Sequence, residues 1–180
     1  TVGRFAEGIA EAKRAVENDP LSFSANLALG SNYSFARQYD QAIAQYLRTI
    51  ELEPNDPRGY EFLGGAYATL GLCDEAVKAR QKEMTLLGAK PEDVAALGEV
   101  YRASGYPGYL CWRLERARHP YEAAVFQAQL GLRDDAFANL EKCYREHWWA
   151  MVQLRNNPKW DPLRSDPRFQ DLLRRMNFPP

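Results

Sequence analysis

Apolar side chains recur along this chain at spacings of three and four residues, and short polar turns interrupt the pattern. Such spacing places the apolar positions on one face of an α-helix. Gly, Pro, Asp and Asn at the interruptions are typical helix boundaries. The protein is therefore predicted to be all-α. The helices predicted up to the last repeat are 4–18, 22–36, 39–53, 57–70, 73–87, 91–104, 107–117, 120–131 and 133–148.

A five-residue string returns three times with a period of 34 residues. Its copies are Leu29–Tyr33, Leu63–Tyr67 and Leu97–Tyr101, and each has the form Leu-Gly-x-x-Tyr. Leu, Gly and Tyr at these positions share one helix face. A helical Gly costs about 1 kcal/mol relative to Ala, so its recurrence indicates that a partner helix packs closely there.

The string, together with Ala42 and Ala76 in the second helices and Pro20 and Pro54 at the hairpin ends, resembles the tetratricopeptide repeat (TPR) signature. The resemblance implies an α-solenoid of stacked antiparallel helix hairpins, wound as a right-handed superhelix. One hairpin cannot bury its apolar face alone, so neighbouring hairpins are expected to stack.

Residues 1–180 are predicted to form a single array. Phe5–Ala10 aligns with Tyr39–Ala44, so the first helix has the pattern of a second helix, and we expect the array to continue upstream. The turn signal Gly105–Gly108 distorts the third repeat. The predicted parts are a truncated repeat (4–18), two repeats (22–56 and 57–90), a distorted repeat (91–118), a degenerate repeat (119–148) and a C-terminal cap (149–180).

The cap leaves the repeat pattern. Trp160–Arg164 is predicted to be one helical turn, and Ser165 is predicted to cap a last helix at 166–176 with Pro167 in its first turn. The apolar stripe of that helix is Phe169, Leu172, Leu173 and Met176. For the cluster of Trp148, Trp149 and Trp160, packing at the end of the array is favoured over a binding surface.

The cap carries a second resemblance. Asp135–Glu141, Pro158–Phe169 and Leu172–Met176 are similar to the closing TPR segment of bacterial multidomain signalling proteins. Those arrays follow Ser/Thr kinase, winged-helix regulator or cyclase-like domains. The resemblance implies a regulatory or scaffolding segment of a larger protein.

Composition and charge limit the kinds of partner and the compartment that are expected. The net charge of −1 argues against nucleic acid, because a general attraction to phosphates is missing. No stretch of about 18 apolar residues is present, so no membrane span is predicted in this segment. Three distant cysteines without a CxxC pair favour a reducing compartment and hence the cytoplasm. A tether to an upstream membrane span would instead allow a periplasmic location. The oligomeric state is left open.

Catalytic chemistry is not expected. His119 and His147 have no evident partner groups, and Cys111 with His119 lacks a third residue. No nucleotide-binding, hydrolase or zinc motif is present. We therefore predict no enzyme activity, no cofactor and no metal site.

The TPR resemblance implies that the first helices line a concave binding face. The chaperone-binding clamp of Lys and Asn would fall on Leu27, Ser31, Phe62, Glu92 and Ala96, so a chaperone tail is not expected. A protein or peptide partner is favoured, and a small-ligand sensor that controls an attached effector is the alternative. A closed apolar pocket would favour the sensor. The predicted binding residues are Ser31, Phe35, Arg58, Glu61, Phe62, Glu99, Arg102, Tyr121 and Gln129.

Overall fold

The computed structural model describes residues 2–177, with side chains described from residue 4. These residues form nine α-helices, two 3-10 helices and no strand. They divide into two compact units, the first ending at Glu99 and the second beginning at Val100. The helices are α1 (Val2–Asn18), α2 (Phe23–Phe35), α3 (Tyr39–Leu52), α4 (Pro57–Thr69), α5 (Cys73–Leu86), α6 (Pro91–Glu115), α7 (Pro120–Gln129), α8 (Arg133–Arg145), η1 (Trp149–Gln153), η2 (Pro158–Leu163) and α9 (Pro167–Arg175).

In the first unit, each helix from α1 to α4 packs against the next, and α2 also contacts α4. The core between α3 and α4 contains Ala42, Tyr46, Leu63 and Ala66. Tyr33 and Tyr67, the last residues of two signature strings, pack against this core. The stacking of hairpins predicted from the repeat is thus confirmed within this unit.

The signature glycines lie where helices approach closely. A Cβ built on Gly30 would lie 2.5 Å from a ring carbon of Tyr46, so the missing side chain accommodates that ring. A Cβ on Gly64 would lie 3.4 Å from the Ala76 carbonyl oxygen on α5. Close helix packing at these two glycines, expected from their recurrence, is confirmed.

The turn from first to second helix uses one residue with positive φ in each repeat. Arg37, Gly71 and Gly105 follow the 34-residue period and have φ of 61°, 74° and 63°. Gly131 has φ of 77° in the α7–α8 turn. This conformation costs L-residues energy, which explains why glycine occupies three of these four positions.

The third repeat changes direction where its prediction placed a turn. Separate helices at 91–104 and 107–117 were expected, and α6 consists of two helical stretches that meet in a kink at Gly105, the residue that departs from helical geometry. With φ 63° and ψ −162°, Gly105 changes the direction of the backbone within one residue. A Cβ on Gly108 would lie 2.3 Å from the Ser104 Cβ, so glycine is required there too. The break predicted from Gly105–Gly108 is therefore present, at Gly105.

In the second unit, α7 pairs with α8, η2 packs on α7, and α9 packs on α8. Trp160, Leu163, Phe169 and Leu172 have no exposed surface. The Trp160 indole Nε1 donates a hydrogen bond to the Tyr121 hydroxyl (3.3 Å), and the two rings meet edge to face. The apolar cap predicted from this segment is thus a buried core, and Trp160 belongs to it.

Three details of the cap were predicted wrongly. Asp166, not Ser165, caps α9, since its carboxylate accepts the Arg168 N–H (3.0 Å). Helix α8 ends at Arg145 rather than 148, because His147 takes a φ of 51° and Trp148 N–H bonds back to the Cys143 carbonyl. The 3-10 helix η1 was not predicted. Trp149 within it is 68% exposed, so the tryptophans do not act as one buried cluster.

Ion pairs join α9 to α8. Arg168 Nη1 lies 2.7 Å from Asp134, and Arg175 pairs with Glu141. Arg164 and Arg174 pair with Asp161 and Asp171, each within one turn of helix. No helix among the described residues is long and apolar enough to cross a bilayer.

Candidate binding surface

The first helices of two successive repeats lie side by side in the first unit. The Arg58 guanidinium carbon of α4 lies 4.6 Å from the ring centroid of Phe23 on α2. Helix α2 contains no charged residue. Together the two helices form the α2–α4 surface, defined here by Ser31, Phe35, Arg58, Glu61, Phe62 and Gly65.

The predicted residues differ in exposure on this surface. Arg58, Glu61 and Phe62 are exposed, whereas Ser31 and Phe35 are half-buried. Phe62 keeps 37% of its surface exposed and its ring lies 5.7 Å from the Tyr46 ring. A Cβ built on Gly65 would meet no atom within 4 Å, so the surface is open there.

The buried side chain of Tyr46 on α3 lies beneath the α2–α4 surface. Burial raises the pKa of Tyr46 to about 12, and hydrogen bonds with Ser31 and Ser34 oppose that shift. Ser31 also donates a hydrogen bond to the Leu27 carbonyl (2.9 Å). The Ser31 hydroxyl therefore serves the packing of α2 on α3 rather than standing free for a ligand.

The buried phenol makes stability depend on pH. Because the folded pKa is above the unfolded value near 10, the neutral phenol stabilises the fold fully below pH 10, and this contribution is lost as pH rises through 12. We expect the free energy of unfolding to fall by about 2 kcal/mol more in the wild type than in Tyr46→Phe over this range. Urea unfolding at pH 8 to 12 checks this, and parallel pH curves for the two proteins would contradict it.

Arg58 is held in place by Asp56, a residue that the predicted site did not include. Asp56 caps α4, accepting the Arg58 N–H (2.9 Å), and its carboxylate also receives Arg58 Nε (3.0 Å) and Nη2 (2.7 Å). These bonds from Arg58 hold the pKa of Asp56 below its usual range. The string Asp56-Pro57-Arg58 is a sequence signal for the cap, but the contact with Phe23 depends on tertiary packing.

The remaining predicted residues lie elsewhere. Glu99 is exposed at the end of the first unit, and Arg102 and Gln129 are exposed in the second. Tyr121 is half-buried, and its hydroxyl accepts the Trp160 bond, so it belongs to the packing of the cap. The other five predicted residues lie on α2 and α4.

The chemically reactive side chains are dispersed. His119 is exposed and its ring lies 4.9 Å from that of Trp148, while His147 is exposed at the end of α8. Cys143 is buried, whereas Cys111 is exposed. Within residues 2–177, no group of three His, Cys, Asp or Glu side chains is placed to hold a metal ion.

Two shallow clefts open on the surface. One, of about 400 Å³, lies between α8 and α9, where Phe137, Glu141, Arg168 and Asp171 line it. The other, of about 410 Å³, follows the loop from Glu53 to Pro57. Both are open depressions bordered by charged side chains, unlike the closed apolar pocket that a small-ligand sensor would need.

Comparison with known proteins places the repeat in a family. A family model described as "TPR repeat" matches residues 38–71, which contain α3 and α4. The Hsp70-Hsp90 organizing protein of Triticum aestivum is 32% identical over 111 residues, covering 59% of this chain and 18% of that protein. The beta-barrel assembly-enhancing protease of Yersinia pestis is 32% identical over 99 residues, covering 54% of this chain and 20% of that protein.

A third relative and a solved structure are also similar to this chain. The cytochrome c-type biogenesis protein CycH of Bradyrhizobium diazoefficiens is 32% identical over 75 residues, covering 42% of this chain and 20% of that protein. The matches thus span about a fifth of each relative's length. The crystal structure of MamA has a similar fold, with a TM-score of 0.50 at 20% identity, covering 83% of this chain and 92% of that one. Residues 38–71 thus match a TPR repeat, and the described chain shares its helical fold with MamA.

Proposed function

We propose that this protein is an interaction module that binds a protein or peptide segment on the α2–α4 surface. The observation that carries the proposal is the 37% exposure of Phe62 beside the open position at Gly65. Aromatic residues, Phe among them, are enriched in protein interfaces, and buried aromatic anchors carry much of the binding energy there. The relatives with TPR segments support this coarse function, as does the fold of MamA.

The role within a larger protein is a second part of the proposal. The resemblance of the cap to bacterial signalling proteins supports a regulatory or scaffolding segment. The dispersed histidines and cysteines support a role without catalysis, and the three distant cysteines without a CxxC pair support the cytoplasm. Glu99, Arg102 and Gln129 stay predicted contact residues. Sequencing the full gene would test this part, since an upstream kinase, winged-helix or cyclase-like domain is expected.

Binding on the α2–α4 surface can be tested with selected peptides. A phage-displayed library of random 12-residue peptides would be selected on the wild-type protein, and dissociation constants measured by fluorescence anisotropy. Phe62→Ala is expected to weaken binding by about tenfold or more, because a central aromatic anchor contributes on the order of 2 kcal/mol.

Leu47→Ala is the matched control. Leu47 is a large apolar residue on the second helix α3 and is 44% exposed, similar to Phe62. We expect its substitution to leave the dissociation constant unchanged. Equal losses for the two variants, or none for Phe62→Ala, would refute binding at this surface.

A further inference from the structure

The string Asp-Pro-Arg starts two helices with the same geometry. It comprises Asp56–Arg58 at the start of α4 and Asp166–Arg168 at the start of α9. In both, the aspartate accepts the arginine N–H, at 2.9 and 3.0 Å, and the arginine Nε and Nη2 fold back onto the same carboxylate. Both guanidinium groups lie over a phenylalanine ring, at 4.6 Å for Phe23 and 4.1 Å for Phe137.

The two copies differ at the remaining donor, Nη1. In α9, Arg168 Nη1 donates to the Asp134 carboxylate at 2.7 Å. In α4, Arg58 Nη1 has no hydrogen-bond partner among the described residues, and the side chain is 54% exposed. Asp134 stands three residues before Phe137, whereas Pro20 stands three residues before Phe23. The first copy therefore lacks the carboxylate that the second one binds.

We infer that Arg58 binds an acidic side chain of the partner, in the way that Arg168 binds Asp134 within the cap. The inference rests on the proposed function and adds the chemistry of the partner: an internal Asp or Glu next to an apolar residue that covers Phe62. Asp56 and the Phe23 ring fix the guanidinium beforehand, so less side-chain entropy is lost when the ion pair forms. A charge-assisted bond of this kind also gives specificity.

The surrounding carboxylates do not prevent such a pair. Asp56 is already bound to Arg58, and Glu53 is a second carboxylate nearby. Glu61 follows Arg58 by three residues, as Asp171 follows Arg168, and Arg168 nevertheless holds Asp134. Helix α2 adds no negative charge. The terminal carboxylate of a peptide is a poorer ligand. The positions of the chaperone-binding clamp carry no Lys or Asn, and Arg58 offers only Nη1 as a donor without a hydrogen-bond partner among the described residues.

The test uses the same displayed library on three proteins: wild type, Arg58→Gln and the charge reversal Arg58→Glu. Peptides selected on the wild type are expected to be enriched in Asp or Glu at a fixed spacing from an apolar residue. Their binding to Arg58→Gln should be about tenfold weaker, a loss expected for one charge-assisted bond. Arg58→Glu is expected to select Lys or Arg at the same position.

Arg48→Gln is the control, since Arg48 is an exposed arginine on α3. It is expected to bind the wild-type peptides normally, and circular dichroism would establish that all variants are folded. The inference fails, while the proposed function stands, if the selected peptides depend on Phe62 but show no enrichment in Asp or Glu. It also fails if such peptides bind Arg58→Gln as tightly as the wild type. If no peptide depends on Phe62, both fail together.

Discussion

Replacing Trp160 by alanine is expected to destabilise the C-terminal unit by about 3–5 kcal/mol. Trp160 has no exposed surface and lies against Tyr121, whose hydroxyl accepts its indole N–H. Removing the indole leaves a cavity of ring size between η2 and α7 and deprives Tyr121 of its partner. Guanidinium unfolding followed by far-ultraviolet circular dichroism measures the loss. Hydrogen exchange would locate it in residues 118–177.

Trp149→Ala provides the matched control for this prediction. Trp149 is 68% exposed in η1, so its removal is expected to change the free energy of unfolding by about 0.5 kcal/mol at most. Trp160→Phe should fall between the two, since it retains most of the apolar contact and loses the bond to Tyr121. A loss as large for Trp149→Ala as for Trp160→Ala would contradict the packing of the cap.

The helices could be predicted because local signals and the repeat agree. Leu-Gly-x-x-Tyr fixes the register of the first helices, and most turns carry a Gly or Pro, although Arg37 takes the positive-φ position in the α2–α3 turn. Where two residues compete for one role, the sequence does not decide. Ser165 and Asp166 are both good helix caps, and tertiary contacts of Arg168 with Asp134 favour the aspartate.

The candidate site was predictable only in part. The repeat register placed Arg58, Glu61 and Phe62 on an exposed face, and they are exposed, because that face follows from the buried one. The same register placed Tyr121 there, but Trp160, 39 positions further along, covers it. Such a contact has no local signal. The position of Arg58 over Phe23 likewise depends on how α2 and α4 pack, which the period alone does not specify.

Gly30→Ala is expected to destabilise the protein by about 2 kcal/mol, although alanine is the better helix former. The new methyl group would lie 2.5 Å from the Tyr46 ring, which is buried between α2 and α3 and cannot move without disturbing its bonds to Ser31 and Ser34. Overpacking therefore outweighs the gain of about 1 kcal/mol in helix propensity. Urea unfolding followed by circular dichroism measures the difference.

Gly65→Ala separates packing from propensity, because it is the same substitution inside α4 at an open position, one residue after Gly64, the repeat equivalent of Gly30. There, only the propensity acts, so we expect stabilisation by up to about 1 kcal/mol. A double-mutant cycle can then test whether the Tyr46 ring causes the loss of stability in Gly30→Ala. We expect Gly30→Ala to destabilise the protein much less in a Tyr46→Leu background. An equal effect of alanine at both glycines would show that Tyr46 does not require the gap at Gly30. The recurring glycine of the repeat would then need another explanation than close helix packing.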